Sequence, residues 1–104
     1  MEAIRPLSAF FEAIERDARI SITHIGIYAA LLRYWQLHAC RNPVEAYSYE
    51  LMRVAKLSAP TTYHKCIRDL HDFGYIRYEP SFKHNQRSKV FLLLGTSDKQ
   101  QTEK

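Results

Sequence analysis

Glycine is scarce in this chain, three in 104 residues, against 46% hydrophobic and 12% aromatic residues, which argues for a dense core and few loops. No apolar run approaches the ~18 residues that a membrane-spanning helix needs. The N-terminus has no charged region leading into an apolar stretch and a small-residue cleavage site, so a secretory signal is not expected. Two cysteines, Cys40 and Cys66, without such a signal fit free thiols in a reducing cytoplasm. Gly-rich phosphate loops, a Gly-x-Ser-x-Gly elbow, paired carboxylates in an apolar setting and internal repeats are all missing, so no enzymatic activity and no cofactor are expected. The pairs His38-x-Cys40 and His64-x-Cys66 invite a zinc reading. Residues two apart on a helix point about 200° from each other, however, so neither pair can chelate one ion, and no metal is expected.

What is present is an ordinary globular composition at a single-domain length, large enough to fold without a metal or disulfide. The net charge of +4 is unevenly placed. Residues 1–55 hold six Lys/Arg and six Asp/Glu, whereas 56–104 hold nine and five, so the second half carries the whole excess and is the half expected to face a polyanion.

Residues 4–18 space Ile4, Leu7, Phe11, Ile14 and Ala18 by threes and fours, opposite Glu12, Glu15, Arg16 and Asp17. This predicts an N-terminal amphipathic helix within residues 1–19, packing on its own domain or pairing with its twin in a homodimer. Thr23–Cys40 predicts a helix apolar almost all round, hence central, with Ser21 or Thr23 as its cap and Arg41-Asn42-Pro43 as its stop. Val44–Tyr47 reads as a short strand. Ser48 is expected to cap a short helix over 48–56 with Leu51, Val54 and Ala55 inward. After the turn Lys56-Leu57-Ser58, a helix over 59–73 capped by Ser58 turns Tyr63, Cys66, Ile67, Leu70 and Phe73 inward and ends at Gly74. Residues 75–80 and 89–94 read as strands joined by a polar, basic hairpin loop over 81–88. The second strand is apolar on both faces and needs cover, from the N-terminal helix or a partner chain. Residues 95–104 read as a disordered polar tail.

The order helix, strand, helix, three-residue turn, helix, glycine and hairpin describes a mostly α fold with a small antiparallel β wing, a helix-turn-helix followed by two strands. The run Ser48-Tyr49-Glu50-Leu51-Met52-Arg53-Val54-Ala55-Lys56-Leu57-Ser58, then Thr62-Tyr63, Ile67-Arg68-Asp69-Leu70 and Phe73-Gly74-Tyr75-Ile76, resembles bacterial winged helix-turn-helix regulators. The likeness covers residues 20–94, and the polar wing tip Tyr78-Glu79-Pro80-Ser81-Phe82 is similar to that of small regulators on mobile elements. The N-terminal helix is a departure that generic winged helices need not share. The resemblance implies a DNA-binding protein of the bacterial cytoplasm and nucleoid, acting in transcription or as an accessory factor of replication or mobile elements.

The residues support that implication independently. With Tyr63, Ile67 and Leu70 inward, Thr61, His64, Lys65 and Arg68 fall on the opposite face of the same helix, in its first two turns, where a major groove would be read. Ser58 and Thr62 flank them. The hairpin adds Lys83, His84, Asn85, Gln86, Arg87 and Lys89, a composition suited to backbone or minor-groove contact. The expected partners are double-stranded DNA and a second copy of the chain through the N-terminal helix, with no membrane and no evident small-molecule ligand. The rival reading is a winged-helix assembly module that binds protein instead of DNA. Lys65 with Asp69, and Arg68 with Asp72, could also form ordinary i,i+4 pairs, worth only about 0.2–0.5 kcal/mol each. Tyr47, Tyr49, Tyr75 and Tyr78 raise the possibility of stacking on single strands. Tyr75 and Tyr78 are better read as covering the core.

Overall fold

A computed structural model describes residues 4–81 and 87–93. Within them the chain forms four helices and a three-stranded antiparallel sheet: α1 Ile4–Ile14, α2 Ile22–Leu37, β1 Val44–Ala46, α3 Ser48–Ala55, α4 Pro60–Asp72, β2 Ile76–Glu79 and β3 Ser88–Leu92. The tail over 95–104 and the hairpin tip lie outside the described residues.

α2 is the central helix because its apolar side chains face several neighbours at once. Ile27, Tyr28, Leu31, Leu32, Tyr34 and Trp35 are all buried, among α1, α3, α4 and β1. It starts at Ser21, whose backbone N–H donates to His24 Nδ1 at 2.9 Å, so a histidine three residues on performs the reciprocal half of a capping box. It ends at Leu37 instead of Cys40, since Ala39 and Cys40 both take left-handed backbone angles (φ 61° and 54°). The Cys40 N–H returns to the Trp35 carbonyl at 2.8 Å, closing off carbonyls that the helix end would leave orphaned.

α1 stops at Ile14, four residues short of the predicted end. Asp17 is the physical reason: its carboxylate accepts the Arg19 backbone N–H (3.1 Å), the Arg19 guanidinium (2.8 Å) and the Tyr75 hydroxyl (2.6 Å). A side chain that bonds local backbone in this way competes with helix continuation. The apolar stripe also differs at one position, while Leu7 and Ile14 face the core as expected. Phe10, not Phe11, enters the core (4% exposed against 47%), because its ring stacks on Tyr28 at 3.9 Å and meets Tyr75 edge-on at 5.5 Å.

The sheet runs in the order β1-β3-β2, with Val44 opposite Val90 and Ile76 opposite Leu92. Val44, Ala46, Ile76, Val90 and Leu92 turn to the core. Asn42 prolongs the pairing of β1 along the central β3: its side-chain N–H donates to the Leu92 carbonyl and its side-chain carbonyl accepts the Leu92 N–H, both at 2.9 Å. The expected cover on both faces of β3 is incomplete. Phe91 is half-buried beneath the Arg77 guanidinium (4.0 Å), and Leu93 is 53% exposed.

α3 and α4 differ from expectation at their starts. Tyr47 precedes α3 and its N–H donates to Glu50 at 2.9 Å, which makes Ser48 the first helical residue and not the cap. Pro60 occupies the first turn of α4, so Ala59 holds the cap position expected of Ser58. The connection therefore spans 56–59 and pivots on Lys56 in the left-handed region (φ 61°). Val54, expected inward, is 38% exposed, and Met52 packs on the core in its place. α4 turns Tyr63, Cys66, Ile67 and Leu70 inward as expected, while Phe73 is only half-buried, under the Arg19 guanidinium at 3.9 Å. Gly74 leaves α4 with φ 90°, a conformation that strains any side-chain-bearing residue.

Candidate nucleic-acid interface

The inward stripe of α4 fixes what its other face presents. Thr61, Lys65 and Arg68 are exposed, with Thr62 and His64 half-buried beside them and Ser58 exposed in the preceding turn. These six nominated residues lie along one helix and its entry, held by packing of α4 against α2 and α3. The His64 ring sits edge-on to Tyr63 at 5.2 Å. Sequence reasoning left two further cations out of this interface and read Tyr49 only as a candidate for stacking on single strands; all three lie on the helix and turn that precede α4. Tyr49 and Arg53 on α3 and Lys56 in the turn are all exposed, and Tyr49 stacks on Tyr47 at 5.3 Å. The signal was available: none of the three belongs to α3's inward spacing.

The two expected cation pairs on α4 part company. Lys65 Nζ donates to Asp69 at 3.0 Å, whereas among the described residues Arg68 has no ion partner. Asp69 is held below the usual carboxylate range, first by the hydrogen bond from His24 and then by that from Lys65. Lys65 is in turn pushed up by Asp69. At 73% exposure the Lys65 pair is worth little in water, so the ammonium is free to exchange Asp69 for a phosphate.

The hairpin side is less uniform than its composition suggests. Lys83, His84, Asn85 and Gln86 lie outside the described residues. Arg87 folds back toward the start of α3, with Nε 3.6 Å from Glu50 and its guanidinium 4.7 Å from the Tyr47 ring centre. Lys89 sits on the outer face of the sheet, in register between Glu45 on β1 and Glu79 on β2. Two carboxylates flank it, so it offers less positive potential than a lysine at an open loop. The structure thus brings the α4 residues together and sets Arg87 and Lys89 apart from them. Tyr75 and Tyr78 pack on the core, as read from the sequence.

One polar cluster was not anticipated. His24 Nε2, Cys66 Sγ and an Asp69 oxygen lie within 4.8 Å of one another, a donor set that could suit a metal ion. The histidine's bonds argue otherwise. Nδ1 accepts the Ser21 N–H, with the Ser21 hydroxyl oxygen also 2.8 Å away, so the neutral ring carries its proton on Nε2 and donates it to Asp69 at 2.9 Å. A metal on Nε2 would require a proton on Nδ1, facing a backbone N–H that already points there. Burial also pushes the Cys66 thiol up, away from the thiolate a metal needs. The cluster is a strut. It runs from the N-terminus of α2 through His24 to Asp69 and Lys65, and ties the exposed helix to the core.

No family model, curated protein or solved structure matches the chain. Among the described residues, no helix is long and apolar enough to cross a membrane.

Proposed function

We propose that this chain is a winged helix-turn-helix protein that binds double-stranded DNA in a sequence-specific way, in transcription or as an accessory factor of replication or mobile elements. The observation that carries the proposal is the position of α4. It follows α3 after a four-residue turn, precedes an antiparallel hairpin, and leaves Thr61, His64, Lys65 and Arg68 on the face that its core packing does not use. In this reading α4 enters the major groove. Arg68 meets a base edge or phosphate, Lys65 leaves Asp69 for a phosphate, and the hairpin over 81–89 lies against the neighbouring backbone. Arg53 and Lys56 add positive charge where α3 crosses the duplex.

The homodimer belongs to the same proposal. Leu93 is exposed at an apolar groove of about 300 Å³ lined also by Pro6, Ala9, Phe10 and Ala13 of α1 together with Tyr75, and Phe11 is exposed on another face of α1. Burying two such faces against each other would remove large apolar side chains from water. Selection of bound sequences from a random duplex pool tests both parts. A single enriched motif repeated at one helical turn, or a multiple of it, is expected. A pool that fails to enrich would refute sequence-specific binding.

A further inference from the structure

A second cleft, of about 430 Å³, opens between the C-terminal end of α2 and β1, and none of the residues lining it belongs to α3 or α4. Its size falls in the range of small-molecule sites, roughly 300–1,000 Å³. Its walls combine flat apolar surface with unequal charge. Tyr34 and His38 stack at 4.0 Å and 14°, held by the bond between His38 Nδ1 and the Tyr34 carbonyl (2.8 Å), and Trp35 forms the adjoining wall. Two guanidinium groups, Arg41 and Arg87, line the rim against a single carboxylate, Glu45. Arg87 is partly engaged by Glu50 at 3.6 Å, whereas Arg41 is exposed and, among the described residues, has no ion partner. Independently, the Trp35 Nε1–H is buried and, among the described residues, has no acceptor, an unmet donor on a side chain that lines the same cleft.

We infer that this cleft is a binding site for a small aromatic carboxylate, its ring against Tyr34 and Trp35 and its anion on Arg41. A guanidinium fork matches a carboxylate with two parallel hydrogen bonds, and an aromatic body uses the flat walls that a bare inorganic anion would leave empty. Glu45 alone would attract a cation, but the two guanidinium groups outnumber it, so the rim stays net positive and disfavours a cationic ligand in the same space. Water does not reach the Trp35 N–H, so a ligand oxygen engages it only by parting the wall. The assignment does not depend on the chain binding DNA.

Trp35 is the sole tryptophan of the sequence, so its indole N–H gives one cross-peak in a nitrogen–proton correlation spectrum. Benzoate titrated into the full chain at constant ionic strength is expected to shift that peak along a saturating curve. The uncharged isostere benzamide, and benzoate with the Arg41→Gln variant, should each bind at least tenfold more weakly, while the rest of the variant's spectrum keeps its folded dispersion. A linear shift without saturation, equal titrations by benzoate and benzamide, or undiminished benzoate binding to Arg41→Gln would each overturn the assignment. Should that variant lose its dispersion, Arg41→Lys serves instead: it keeps the charge, lacks the fork, and is expected to bind benzoate more weakly than the unmodified chain but more tightly than benzamide is bound.

Discussion

Replacing His24 by alanine should destabilise the protein far more than replacing Lys65, although both side chains bond the same Asp69 oxygen. His24 is buried and makes two structural bonds, accepting the Ser21 N–H at the start of α2 and donating to Asp69 across to α4. Losing a capping partner costs about 0.5–2 kcal/mol. Leaving a buried acceptor unmet adds about 1–3 kcal/mol. The Asp69 end is partly solvated and keeps Lys65, so the lower half of that second range applies and the sum is about 1.5–4 kcal/mol. With a urea m-value of about 1.5 kcal/mol/M, the unfolding midpoint should fall by roughly 1–2.7 M. Lys65→Ala removes only an exposed i,i+4 pair, at about 0.2–0.5 kcal/mol, and should move the midpoint by less than ~0.4 M. Urea titrations followed by Trp35 fluorescence measure both. A His24→Ala midpoint within ~0.4 M of the unmodified chain would refute the strut, and a large loss in Lys65→Ala would mean that this lysine is structural and not available to phosphate.

Three further outcomes follow from the same contacts. Phe10→Ala, which empties a site stacked on Tyr28, should cost about 3–5 kcal/mol in urea unfolding. Leu93→Ser should leave monomer stability within ~0.5 kcal/mol but abolish the proposed homodimer in sedimentation. Acidification should destabilise the fold through Asp17, held far below the usual carboxylate range chiefly by Arg19 and then by the Tyr75 hydroxyl, and through Asp69. Both carboxyls are depressed in the folded state, so their contribution is fully present above the unfolded value of about 4 and is lost as pH falls below it. Midpoints measured from pH 6 to pH 3 should therefore fall, and Asp17→Asn should flatten the decline.

Much of this architecture was legible from residue spacing, and the misreadings have definite causes. The order of elements, the buried α2 and the inward stripe Tyr63, Cys66, Ile67 and Leu70 follow from periodicity alone. Periodicity could not choose between Phe10 and Phe11, because either fits a helical stripe and the choice is made by the Tyr28 ring on another helix. Helix ends were set by features that carry little composition signal: two left-handed residues at Ala39 and Cys40, and a carboxylate at Asp17 that finds Arg19 and Tyr75. In the candidate site, the face of α4 was readable because it is the complement of the core stripe. The retreat of Arg87 to Glu50, the flanking of Lys89 by two carboxylates and the His24–Asp69 bond were not, since each joins elements distant in the chain.

The most direct test of duplex binding through α4 is the dependence of affinity on salt, measured by fluorescence anisotropy with a selected duplex for the unmodified chain, Lys65→Ala and Arg68→Ala. Each phosphate contact contributes about −0.9 to the slope of log K against log salt. The account predicts a slope steeper than about −3 for the unmodified chain and a slope shallower by about 1 for Lys65→Ala. Arg68→Ala should lose about 1–3 kcal/mol of affinity if it reads a base. A flat salt response, or three indistinguishable titrations, would contradict it.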